Sequence, residues 1–167
     1  MSWSKICCLV MMLGLGACGY TPLYGTSSAG IQASEALSRV SVGPIEQGLV
    51  GRDVRVALLD RINPNGEPTA PLHRLEITLT PSLGGLLVQP DAAITRYNYQ
   101  LLGNYKLIDL ATGKVLTEGA VTGTSAYNVV TNEYATVVAR RDAERRAATS
   151  ISEEIALRLA LFLRKPS

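Results

Sequence analysis

Few side chains in this sequence combine a reactive type with a useful spacing. There is one histidine, His73, beside Arg74 at the start of an alternating segment. A catalytic base there would need a nucleophile and an orienting partner. No Gly-x-Ser-x-Gly elbow offers a serine, so His73 reads as an exposed residue at a strand end. Glu153 and Glu154 are the other acid–base option. Neighbours on a helix diverge by about 100°, so these two do not converge on one substrate atom. Thr112-Gly113-Lys114 looks like the end of a phosphate loop but lacks the glycine spacing ahead of it, and reads as a hairpin turn. No group of residues has zinc-ligand spacing. The expectation is a protein that is not an enzyme and carries no metal or other cofactor.

The remaining chemistry belongs to Cys18. Ahead of it lie Lys5, an uncharged apolar run from Ile6 to Leu15, and then Leu15-Gly16-Ala17-Cys18. That order resembles the lipobox of bacterial lipoproteins. Small residues let a peptidase approach the backbone, and the thiol receives the diacylglyceryl group. An ordinary secretory signal also ends in small residues. A membrane-spanning anchor needs about 20 apolar residues, more than this run supplies. Residues 1–17 are therefore expected to be a signal peptide, and Cys18 the lipid attachment site, bearing palmitate-type acyl chains. Cys7 and Cys8 leave with the signal and Cys18 is consumed, so no free thiol or disulfide is expected. Gly19, where an aspartate commonly retains lipoproteins at the inner membrane, points to the outer membrane.

Loss of Lys5 lowers the net charge from +2 to +1, which gives no support to nucleic-acid binding. Arg140, Arg141, Arg145 and Arg146 are interleaved with Asp142 and Glu144, as on a helix surface with local ion pairs. Arg96 and Lys106 differ. They share a strand face with Asn98, Gln100 and Asn104, a composition suited to phosphorylated lipid through charge and hydrogen bonds. The alternative is an ordinary solvated sheet face.

The elements that position these residues follow from periodicity. Residues 18–34 are rich in Gly, Ser and Ala and read as a tether. Leu37 to Ile45 alternates as a first strand that Pro44 ends. Val50, Val54, Leu58 and Ile62 form one stripe on a helix from Gly48 to Asn63, stopped by Asn63-Pro64-Asn65-Gly66. Leu72 to Leu83 alternates as a strand, with Gly84-Gly85 allowing a bend or bulge after it. Ile94 to Asp109 and Val115 to Asn128 form a long hairpin. A helix from Glu133 to Leu163 carries Ala143, Ala147, Ile151, Ile155, Leu159 and Leu163 along one line. The expected fold is α+β, a two-layer sandwich of β-α-β-β-β-α order. It has a four-stranded, mostly antiparallel sheet with two helices on one face, occupying residues 35–167 as a single domain.

After Cys18 the chain reads Gly19-Tyr20-Thr21-Pro22-Leu23-Tyr24-Gly25. Later come Ser125-Ala126-Tyr127-Asn128, Tyr134-Ala135 and Arg141-Asp142-Ala143. These pieces, in this order, resemble the lipopolysaccharide-assembly lipoproteins of the LptE type, over nearly the whole mature chain. The resemblance implies a non-enzymatic outer-membrane lipoprotein that faces the periplasm or a barrel lumen. Its partner would be the large β-barrel LptD, in a 1:1 heterodimer that it plugs and helps assemble. Lipopolysaccharide would be contacted on its way to the outer leaflet. Basic residues of the family's hairpin region are linked to that contact, which makes Arg96, Lys106 and Lys114 the candidates here. The other reading is a lipoprotein subunit of an envelope lipid-transport system of the ABC type.

Overall fold

The computed structural model describes residues 34–86, 96–129 and 132–164. The expected signal peptide, Cys18 and all but the last residue of the expected tether lie outside the described residues. The elements are β1 (Val40–Val42), α1 (Gly48–Ile62), β2 (His73–Leu86), β3 (Arg96–Asp109), β4 (Val115–Asn128) and α2 (Glu133–Leu163). They form one four-stranded sheet in the order β1-β2-β3-β4. β1 runs parallel to β2, and the other two pairings are antiparallel. This is the α+β sandwich expected from periodicity.

Alternation sorts the two faces of the sheet. Leu75, Ile77 and Leu79 of β2, with Tyr99, Leu101, Tyr105 and Leu107 of β3, are buried beneath the helices. The stripe on α1 is buried at Val54, Leu58 and Ile62. The line on α2 is buried from Ala143 to Leu159, but its inward face is wider than the line itself. Ala148, Ser152, Ala156 and Ala160 are buried too, because α2 packs on the sheet and on α1 together. Small residues on that flank let the helices approach. Ser152 Oγ lies 2.8 Å from the Ala148 carbonyl and 3.2 Å from the Val54 carbonyl of α1, so its hydroxyl is satisfied inside the core.

Two expectations about the strands are corrected. The first strand is three residues long, because residues 34–37 form a helical turn and only Val40–Val42 pair. Local bonds win there: Ser38 Oγ donates to the Glu35 carbonyl at 2.8 Å, and Arg39 pairs with Glu35 at 3.3 Å. Gly84-Gly85 forms no bulge. Both pair in continuous register, with Asn98 and Tyr97. The irregularity lies elsewhere, where Leu107 pairs Thr117 and Ile108 pairs Val115, leaving Leu116 as the extra residue of a bulge. β2, β3 and β4 each run 14 residues, roughly 45 Å at ~3.4 Å per residue.

Glycines set the depth of the helix–sheet contact. A Cβ on Gly123 of β4 would lie 2.5 Å from the Ala147 carbonyl oxygen of α2, and one on Gly103 would lie 3.3 Å from Ile151 Cγ2. Ile151 therefore sits in a notch made by the two glycines.

The arginines of α2 do more than pair locally. The local pairs with Asp142 and Glu144 are present, but Arg141 also reaches α1, bonding Asp53 at 2.6 Å. Both of those side chains are about three-quarters buried, at 26% and 21% exposure. A charge-assisted bond of this kind contributes about 1.5–3 kcal/mol. Arg141→Ala is expected to lower unfolding free energy by that amount in a urea titration. Arg145→Ala, which loses only an exposed pair, is expected to lose under ~0.5 kcal/mol. Equal losses from both variants would show that the link between the helices carries no special weight.

Candidate functional site: an open polar sheet face

One face of the sheet has no described helix over it. It is built from the residues that alternate with the core. These are Glu76, Thr78, Thr80 and Ser82 on β2, Asn98, Gln100, Leu102, Asn104 and Lys106 on β3, and Glu118, Thr122 and Thr124 on β4. All except the half-buried Asn98 are exposed. Most are neutral side chains able to donate and accept hydrogen bonds, so the face is polar, with one large aliphatic residue, Leu102, at its middle.

Apart from Arg96, the charges gather at one end. Register places Glu76, Lys106 and Glu118 side by side on three strands. Lys106 pairs with Glu118 at 3.5 Å, and Arg74 pairs with Glu76 at 3.0 Å. These four groups cancel, so Lys106 offers an anion little net attraction. Exposed pairs of this kind contribute about 0.2–1 kcal/mol each.

The three candidate cations are not brought together. Arg96 opens β3 and Lys106 lies ten residues along it, roughly 34 Å away at ~3.4 Å per residue. Lys114 sits just past the hairpin turn, at the Lys106 end. Arg96 and Lys114 are exposed and make no ion pair among the described residues, whereas Lys106 makes one. Arg96 therefore belongs to one end of the sheet, and Lys106 and Lys114 to the other.

The turn ahead of Lys114 is held by Asp109. Its Oδ1 accepts bonds from the backbone N–H groups of Ala111 and Thr112, both at 2.8 Å, and from the Thr112 hydroxyl at 3.1 Å. Gly113 follows at φ +69°, a left-handed position that suits glycine. The Thr112 N–H is the main reason that the Asp109 carboxyl sits below its ordinary pKa. The charged form therefore favours the folded turn above the unfolded carboxyl's pKa of about 3.9. That contribution is lost as pH falls through the lower folded value. An NMR titration should give Asp109 a midpoint below the ordinary one, tracked by the Thr112 amide. A midpoint at or above it would show that the turn does not prefer the carboxylate.

His73 departs from its expected exposure. It is half-buried, with Nδ1 enclosed and without a hydrogen-bond partner among the described residues. Glu153 and Glu154 diverge as expected, Glu153 bonding Arg61 at 2.5 Å and Glu154 bonding Arg158 at 2.8 Å. Among the described residues no group of His, Cys, Asp and Glu is arranged to hold a metal ion. No described helix is long and apolar enough to cross a membrane.

A feature that periodicity did not reveal lies on the helix side, at the Arg96 end. Val50, Pro81, Leu83, Tyr99, Arg140 and Glu144 line a cavity of about 260 Å³. Burial, and then the Glu144 carboxylate, push the Tyr99 phenol above its ordinary pKa. Beyond it, Tyr97 and Tyr127 stack at 5.7 Å across β3 and β4. No spacing rule relates residues 50, 81, 99 and 140, because tertiary packing alone brings them together.

No protein-family model matches this sequence, and no curated protein matches it. Its fold is shared with solved structures. One, from Caulobacter crescentus and described as a candidate lipoprotein, is 20% identical with a TM-score of 0.66, over 80% of this chain and 97% of that one. A minor lipoprotein from Acinetobacter baumannii is 14% identical with a TM-score of 0.58, over 73% and 90%. Rare lipoprotein B from Shewanella oneidensis is 15% identical with a TM-score of 0.54, over 73% and 92%. Three proteins described as lipoproteins thus have this strand order and helix layer over nearly their full lengths.

Proposed function

We propose that this chain is a non-enzymatic, lipid-anchored outer-membrane protein of the LptE type. In this reading it plugs and helps assemble the large lipopolysaccharide-translocating β-barrel LptD, and assists lipopolysaccharide into the outer leaflet. One observation carries the reading. A lipobox and the run Cys18-Gly19-Tyr20-Thr21-Pro22-Leu23-Tyr24 precede a fold that solved lipoproteins share. The uncovered sheet face supports it physically. A neutral, hydrogen-bonding surface roughly 45 Å long suits the water-filled interior of a large barrel, whose lumen is polar. Arg96, Lys106 and Lys114 remain the proposed lipopolysaccharide contacts. With Lys106 neutralised by its neighbours, Arg96 and Lys114 are the stronger pair for phosphate groups.

Detergent extraction of the tagged chain, followed by pull-down and mass identification, is the test. LptD is expected in about equal amount. Recovery of the chain alone, or with an inner-membrane transporter, overturns the reading, and the latter result selects the lipid-transport alternative.

A further inference from the structure

Every sheet edge leaves a row of outward backbone groups that need partners. On β1, the Val40 carbonyl accepts a hydrogen bond from Asn63 Nδ2 at 2.8 Å. On β4, the Ala120 carbonyl accepts one from Arg158 at 3.1 Å, and the Ala126 carbonyl one from Arg146 at 2.9 Å. Among the described residues β2 has no such cover. β1 leaves it after Leu75, whose carbonyl accepts the last bond, from the Gly43 N–H at 2.9 Å. Backbone direction alternates along a strand. Ile77 and Leu79 therefore turn their N–H and C=O outward as Leu75 does, and no described residue bonds to them there. Pro81 falls in the same alternation, so its missing N–H takes nothing from the pairing with β3.

This open stretch has a shape as well as unmet bonds. A groove of about 540 Å³ runs between residues 74–79 of β2 and the loop at residues 43–47. Arg74 and Glu76 neutralise one another, which leaves Glu46 as an exposed carboxylate with no ion pair among the described residues.

We propose that this groove is a strand-addition site for an extended, lysine- or arginine-bearing peptide segment of a partner protein. Only an extended backbone supplies donors and acceptors that match alternate residues of a strand, a repeat of roughly 6.8 Å. Basic side chains on it answer Glu46. Residues 19–33 of this chain carry no charged side chain and leave Glu46 unanswered, and a second copy would bring the same carboxylates against each other.

The test uses the full mature chain in detergent and a synthetic probe, acetyl-Lys-Val-Thr-Val-Lys-Val-amide. Amide hydrogen exchange reports on Ile77 and Leu79, and a binding titration gives Kd. The probe is expected to slow exchange at both amides. N-methylating one alternate set of its amides should abolish the effect, while methylating the other set should not. Glu46→Lys should weaken binding several-fold. No slowing, or equal slowing by both methylated probes, overturns the proposal. So does protection of Ile77 and Leu79 before any probe is added. Dilution-dependent protection would then assign the edge to a second copy, and dilution-independent protection to residues 19–33.

Discussion

Replacing Gly123 with alanine is expected to lower stability by about 2–3 kcal/mol, near the upper end for overpacking. The new methyl would lie 2.5 Å from the Ala147 carbonyl oxygen. That atom belongs to the backbone of α2, so no rotamer change relieves the clash. The whole helix must lift, and Ile151, 3.0 Å from the same methyl through its Cγ1, must lift with it. For a chain of this size the loss corresponds to a fall in Tm of about 5–10 °C. Gly103→Ala meets only side chains, those of Ile151 and Leu79, so it should cost less. Gly84→Ala meets nothing within 4 Å and should be neutral. Thermal unfolding of the three variants orders them. A Gly123→Ala protein as stable as Gly84→Ala would mean that α2 does not seat on β4 at this point.

The second large effect concerns Cys18. Cys18→Ser is expected to abolish labelling by radioactive palmitate and to move the chain out of the membrane fraction. A serine hydroxyl does not replace the thiol that accepts the diacylglyceryl group. Firm anchoring takes two or more membrane signals, commonly two acyl chains, and without them no described helix can substitute as a membrane anchor. The folded domain should be unaffected, so its circular dichroism and Tm should match those of the parent. A Cys18→Ser chain that still takes up palmitate, or that still sediments with membranes, would remove the lipoprotein reading and the proposed function with it.

How far the sequence could be read depended on whether a feature was periodic. The bounds of α2 and β4 and the buried side of β3 follow from period 3.6 and period 2, because one face of each must leave water. Alternation carries β1 back to Leu37, whereas the deciding interactions are the local Ser38 and Arg39 bonds to Glu35. The same limit applies to the site. The neutral face could be listed from alternation, but the cancelling of Lys106 by Glu76 and Glu118 depends on register across three strands. Arg141 to Asp53, the notch around Ile151 and the open edge of β2 are all tertiary facts with no local signature.

The placement of β1 also bears on how the chain acquires its structure. β2, β3 and β4 follow one another as a meander, so their pairings join near neighbours in sequence and close early at small entropic cost. Val40 must find His73 across a loop that contains all of α1, and gains only three residue pairs for closing it. The N-terminal strand is thus the natural last piece to dock and the first to release. A chain is synthesised with its beginning first. Here that beginning must wait for β2 before it has a strand to pair with.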